Sequence, residues 1–215
     1  MPQQRRTDRG AIVAATIAVL DERGLDRLSL HAIAARLGVR QPALYHHFKD
    51  KDAVLAAAAA EVLDRHHTER LPRPDEDWPA FLTRNAHSLR RALLAVRDGA
   101  RLIALAGPRA PELGNAIAQV TFLERHGFGG PDAILAYVAV SRYTIGATLE
   151  QQTARDGSTI TFPDSPEAAH LADLAGQVHK LGPDHEFRTG LDALVRGLAT
   201  NRKNGKNGKN GKVDR

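Results

Sequence analysis

At 215 residues, 42% of them hydrophobic and 26% charged, the chain suits one large domain or a small domain joined to a larger one, and wholesale disorder is excluded. It contains no cysteine, which excludes disulfides, thiol nucleophiles and cysteine-based zinc sites and fits a reducing cytoplasm. The formal net charge of +5 lies entirely in residues 201–215, where six Lys/Arg meet one Asp, so only the local excess in residues 1–55, nine Lys/Arg against six Asp/Glu, bears on a nucleic-acid partner.

Apolar spacing is helical almost throughout, and no segment alternates as a strand would. Residues 5–23 place Ile12, Ala15, Ile17, Val19 and Leu20 along a helix that stops at Gly24. Ser29 caps a short helix over 30–37, closed by Gly38, and Gln41-Pro42 opens another, proline being tolerated where its missing N–H has no partner to lose. Asp50 caps a long alanine-rich helix through Glu69. LPRPDEDWP, residues 71–79, breaks it and marks a domain boundary. Further helices are expected over 78–97, 98–105, 111–126, 131–155, 167–181 and 184–200, with a loop at 156–166. Residues 201–215 repeat Asn-Gly-Lys and bury nothing, so they are expected to be a disordered basic tail. No stretch reaches the about 20 apolar residues of a membrane span, so no membrane partner is expected and the location is expected to be cytoplasmic.

Residues 30–48, LHAIAARLGVRQPALYHHF, have the layout of a helix-turn-helix: a short helix, a glycine turn, and a second helix with a polar start. Ala34, Leu37, Val39 and Leu44 supply packing, leaving Arg40, Gln41, Ala43, Tyr45, His46 and His47 to meet DNA. Two short helices joined at a glycine also occur in ordinary bundles. His46 and His47 do not suggest a metal pair, because neighbours on a helix point about 100° apart.

The run GLDRLSLHAIAARLGVRQPALYHHFKDKDAVL resembles the DNA-binding domain of the tetracycline-repressor (TetR) family. The resemblance implies base contacts from Gln41, Pro42 and Ala43 and phosphate contacts from Tyr45, His47 and Lys51. His31 falls where an arginine reads a base, and it cannot reproduce that bidentate contact. The likeness continues through DRHHTE (64–69), residues 81–102, FLERHGF (122–128) and LEQQ (149–152), segments that resemble the drug-responsive members of the family. It implies an all-α chain with a helix-turn-helix domain at 1–50, a connecting helix at 51–70, a helical ligand-binding and dimerisation domain at 71–200, and the tail.

Carried over residue by residue, the ligand site comprises His67, Asn85, Leu89, Ile103, Pro108, Gln119, Arg142 and Glu150. His67, Asn85 and Gln119 match groups that bond the oxygenated edge of a fused-ring drug, and Glu150 matches a carboxylate acting through water. Ile103 stands where a histidine binds magnesium, Arg142 where another histidine is expected, and Leu89 where an aromatic lies. Ala106-Gly107-Pro108 replaces most of a loop that moves on drug binding. No metal or other cofactor is therefore expected, and the inducer is expected to be an oxygen-rich polycyclic or aromatic molecule bound without one. Taken singly, His67 equally suits helix capping, and Asn85 a solvent-facing position.

The expected partners are palindromic operator DNA, the small-molecule inducer and a second copy of the chain. Phe187, Leu191, Leu194, Val195 and Leu198 recur at i, i+4, i+7, i+8 and i+11, a stripe suited to a partner helix or to the chain's own core. The reading is a repressor; an activator of the same fold stays open. An enzyme is disfavoured because GxSxG, HExxH and phosphate-binding glycine loops are missing and a histidine count carries no geometry.

Overall fold

A computed structural model of the chain describes residues 7–106, 112–154, 163 and 165–205; among them are ten α-helices, one 3-10 turn and no strand. They fall into two compact units, one from Met1–Thr68 and Ser88–Ala110, the other from Glu69–His87 and Pro111–Arg215.

In the first unit, α1 (Arg9–Arg23) starts where the Asp8 carboxylate accepts from Ala11 N–H at 2.7 Å, later than the expected start at residue 5. Its buried face is Ile12, Val13, Ala15, Thr16, Val19 and Leu20, and Gly24 ends it at φ 74°, a backbone region that favours glycine. A 3-10 turn (Leu25–Arg27) leads to α2 (Leu30–Leu37), capped by Ser29 and closed by left-handed Gly38. Then come α3 (Pro42–Tyr45) and α4 (Lys51–His66), the latter capped by Asp50. Helix α4 stops at His66 rather than Glu69, with His67 as its C-cap.

Two apolar clusters hold this unit. Ile12, Val13, Ile33, Ala34, Leu44, Phe48 and Val54 join α1, α2, α3 and the start of α4. Val19, Leu20, Leu55, Ala58 and Val62 gather Val96 and Leu102, so the end of α5 (Trp78–Leu94) and α6 (Gly99–Leu105) fold with the N-terminal residues although they follow the break at 71–79. Polar ties fix the return: Asp98 accepts from Leu25 N–H at 2.7 Å, Asp21 accepts from Arg97 N–H at 2.8 Å, and Arg101 pairs with Asp26.

The second unit takes the first part of α5 together with α7 (Leu113–Arg125), α8 (Gly130–Ala154), α9 (Pro166–Leu181) and α10 (Pro183–Gly205). Its core is Trp78, Phe81, Leu82, Phe122, Leu123, Phe128, Ala136, Val140 and the α10 row Phe187, Leu191, Val195 and Leu198. Of the two readings of that row, the chain's own core is the one found: its members are buried within one chain, and Leu194 packs against them. The reason is in α8, where Tyr143 stacks on Phe187 and donates to its carbonyl at 2.9 Å. Helix α10 also runs to Gly205, five residues into the expected tail, because a helix seeded by packing adds one hydrogen bond per residue. Residues 206–215 and most of the expected loop at 156–166 lie outside the described residues.

Arg84 fastens the segment before α5. It donates to Glu76 at 2.6 and 2.7 Å and to the Leu71 carbonyl at 2.9 Å, and it pairs with Glu69. The hydrogen bonds from Arg84 hold the carboxyls of Glu76 and Glu69 below the usual carboxylate range, against the upward push of burial. This stabilisation is complete above the range in which a free carboxyl titrates and is lost as pH falls through the lowered values. Arg84→Met is therefore expected to reduce the melting temperature most near neutrality, the gap to the parent closing in acid. Thermal melts across a pH series check this, and a gap independent of pH would assign Arg84 a packing role alone.

Candidate nucleic-acid interface and ligand site

In the first unit Leu44 and Phe48 are 1% and 3% exposed, and with Ala34 and Ile33 they pin the α2–α3 pair to α1. The expected nucleic-acid residues lie above that anchor. Arg40, Pro42, Tyr45 and His46 are exposed, Tyr45 to 51%, whereas Gln41, Ala43 and His47 are half-buried. Helix α3 itself spans only four residues, but backbone bonds from Ala43 N–H to Arg40 O (2.9 Å) and from Phe48 N–H to Leu44 O (3.0 Å) continue its turns on both sides. Gln41 Nε2 donates to Tyr45 Oη at 3.4 Å, a long contact that a base edge can replace. His31 is exposed in the first turn of α2, and Lys51 is exposed at the first position of α4.

Sequence reasoning missed Arg9. Its guanidinium lies 4.2 Å from the Phe48 ring centroid and donates to the His47 carbonyl at 2.9 Å, joining the start of α1 to the end of the recognition turn. No local pattern marks a contact 38 residues away.

The expected ligand residues divide between the units. His67 belongs to the first, is 6% exposed, and its Nδ1 lies 2.9 Å from Ser88 Oγ. Leu89 is buried in the same unit, and Ile103 packs against the cluster of Val96 and Leu102. Pro108 lies outside the described residues. Arg142 and Glu150 are exposed on α8.

Asn85 and Gln119, both in the second unit, are brought together. Asn85 Nδ2 donates to the carbonyls of Glu69 (3.2 Å) and Arg70 (3.5 Å), and Gln119 Nε2 donates to the same Arg70 carbonyl at 2.9 Å. Asn85 is 2% exposed, so the solvent-facing alternative is overturned. Gln119 Nε2 also lies 3.4 Å from the hydroxyl of Tyr137, a residue the sequence reading passed over because it sits among apolar neighbours on α8. Burial pushes the Tyr137 phenol up, opposed by hydrogen bonds with Asn85, Gln119 and Ser141 and by the positive charge of Arg70. Among the described residues no three His, Cys, Asp or Glu stand together as a metal site. Ile103 carries no donor atom and cannot itself ligate a metal ion.

Two family models match the chain: bacterial regulatory proteins of the tetR family over residues 12–58, and the tetracyclin repressor-like C-terminal domain over residues 71–202. The chain is 43% identical over 197 residues to the class A tetracycline repressor protein from transposon 1721 of Escherichia coli, covering 89% of this chain and 90% of that protein. The crystal structure of TetR from Acinetobacter baumannii AYE superposes with a TM-score of 0.80 at 40% identity, over 92% of this chain and 99% of that one. A class A TetR in complex with 5a,6-anhydrotetracycline and magnesium superposes with a TM-score of 0.69 at 40% identity, over 88% and 96%.

Proposed function

The chain belongs to the TetR family of bacterial regulatory proteins, and from that premise we propose that it is a DNA-binding transcriptional repressor released from its operator by a small oxygenated polycyclic or aromatic ligand. The observation that carries this reading is the surface of exposed Arg40, Pro42, Tyr45 and His46 above the buried Leu44 and Phe48, in the same chain as a sheltered cluster of amide donors. The first offers side chains to a major groove, and the second offers donors to ligand oxygens. Electrophoretic mobility shift with the DNA flanking the gene, titrated with tetracycline and 5a,6-anhydrotetracycline, tests it. Binding without release by any oxygenated polycycle would refute the induction half.

Gln41 reads bases, and Lys51, with Tyr45 and His47, holds phosphates. Gln41→Ala is expected to reduce discrimination among operator variants by about 1–3 kcal/mol. Lys51→Ala is expected to weaken binding to every sequence and to lower the salt slope by about one. Titrations at several salt concentrations check both, and two variants with the same profile would erase the division of labour.

The repressor acts as a homodimer on a palindromic operator, since two recognition turns must meet the groove about 34 Å apart. Leu171, Leu174, Val178 and Leu181 form an exposed apolar row on α9, and Ile134 and Leu135 are exposed on α8, which supports a covered surface between copies. Sedimentation of the full chain tests this. Because Ile103 has no donor to offer, release is expected to proceed unchanged in the presence of a chelator; abolition by chelator and rescue by magnesium would reverse that part of the reading. Residues 201–215 are proposed to be dispensable for induction.

A further inference from the structure

We propose that Tyr137 is a ligand-contacting residue which, with Arg70, makes the site selective for ligands carrying an ionised oxygen. The proposal rests on the reading of Asn85 and Gln119 as ligand residues.

Three distant elements converge here. Asn85 on α5 and Gln119 on α7 both donate to the Arg70 carbonyl, and Gln119 reaches the Tyr137 hydroxyl on α8. The Tyr137 ring packs against the apolar core, while Ser141, one turn along α8, adds a hydrogen bond to its hydroxyl. Nε and Nη2 of Arg70 are closed off from solvent, and the guanidinium acts electrostatically on the phenol.

A tyrosine phenol carries its proton at neutral pH, and burial shifts that of Tyr137 further the same way, so it presents an O–H donor. Two amides, a phenol and a sheltered guanidinium give a cluster rich in donors and positive in potential, in surroundings where charge is weakly screened. Such a cluster favours an oxygen anion, whether enolate, phenolate or carboxylate, over a neutral carbonyl and far over an ammonium group. The two amides are at present spent on backbone carbonyls at 69–70. A ligand oxygen must compete for them, and a charged acceptor is the one equipped to do so.

The experiment is equilibrium binding to the full chain, read by quenching of its single tryptophan, Trp78. The probes are 5a,6-anhydrotetracycline, anthraquinone-2-carboxylate, neutral anthraquinone and a cationic acridinium, each across a pH series. The parent is expected to prefer the two acidic probes and to bind anhydrotetracycline more tightly as its hydroxyls ionise. Tyr137→Phe keeps the ring and is expected to fold, yet to weaken acidic probes roughly tenfold to a hundredfold. Arg70→Gln is expected to flatten the pH profile, and Arg70→Lys to restore it in part. A Tyr137→Phe variant that binds like the parent, while Asn85→Ala does not, overturns this proposal and leaves the parent reading standing. If Asn85→Ala and Tyr137→Phe both bind like the parent, the assignment of the site itself falls. Preference for the neutral or cationic ring overturns the proposal as well.

Discussion

Gly99→Ala is expected to destabilise the N-terminal unit by about 3 kcal/mol, a loss of roughly 10–20 °C in melting temperature. Gly99 is the first residue of α6, entered from Asp98, which holds a left-handed φ of 53° and spends its carboxylate on Leu25 N–H. A methyl group on Gly99 would press into the Leu93 carbonyl oxygen and lie 2.9 Å from Val96 Cγ2. The oxygen belongs to the helix backbone and cannot rotate aside, so the turn between α5 and α6 must open. Opening it pulls Val96 and Leu102 from the cluster they share with Val19, Leu20 and Val62. Gly10→Ala is the control in the same unit, because its added Cβ would meet nothing closer than Asp8 Oδ1 at 3.5 Å. Thermal denaturation of both variants checks the argument; a Gly99→Ala protein as stable as Gly10→Ala would show that the turn relaxes freely.

Asn85→Ala is expected to raise the ligand concentration for half-release about tenfold to a hundredfold in a protein that still binds its operator, because Gln119 continues to hold the Arg70 carbonyl. The estimate follows from the loss of one buried hydrogen-bonding group facing a polar ligand, about 1.5–3 kcal/mol. The variant also loses stability, since the carbonyls of Glu69 and Arg70 lose a donor. These carbonyls stand three and four residues past the end of α4, the helix that begins beside the recognition turn. We propose that a ligand taking the Asn85 and Gln119 donors frees this joint and favours the conformation that does not bind DNA. It can do so only by binding that conformation more tightly; equal affinity for both would shift nothing. Operator binding with and without anhydrotetracycline, measured by fluorescence anisotropy, decides the matter: release of Asn85→Ala as readily as the parent would remove Asn85 from the switch.

The DNA-facing half of the molecule was legible early because its signals are local. Ser29 and Asp50 cap the helices they were expected to cap, Gly24 and Gly38 close α1 and α2, and Leu44 lies beneath the surface of α3. Each depends on residues within a turn or two, where capping and periodicity act. Arg9 escaped because its partners, His47 and Phe48, are far along the chain. In the ligand half, Asn85 and Gln119 entered through family resemblance, while Tyr137 resembled one more ring among the apolar residues of α8.

By itself, then, the sequence determined an all-helical chain, the order of its helices and the turn that carries Gln41 to Tyr45. Tertiary structure decided that α6 returns to the N-terminal unit, that the α10 row is spent on the chain's own core, and that two amides and a phenol meet at Arg70. The physical reason is range. Caps and glycine turns are settled by neighbours three or four residues away, whereas the Arg97–Asp21 tie spans 76 residues and the Gln119–Arg70 bond 49. An amphipathic stripe records that a face must be covered, and only the packed chain reveals by what.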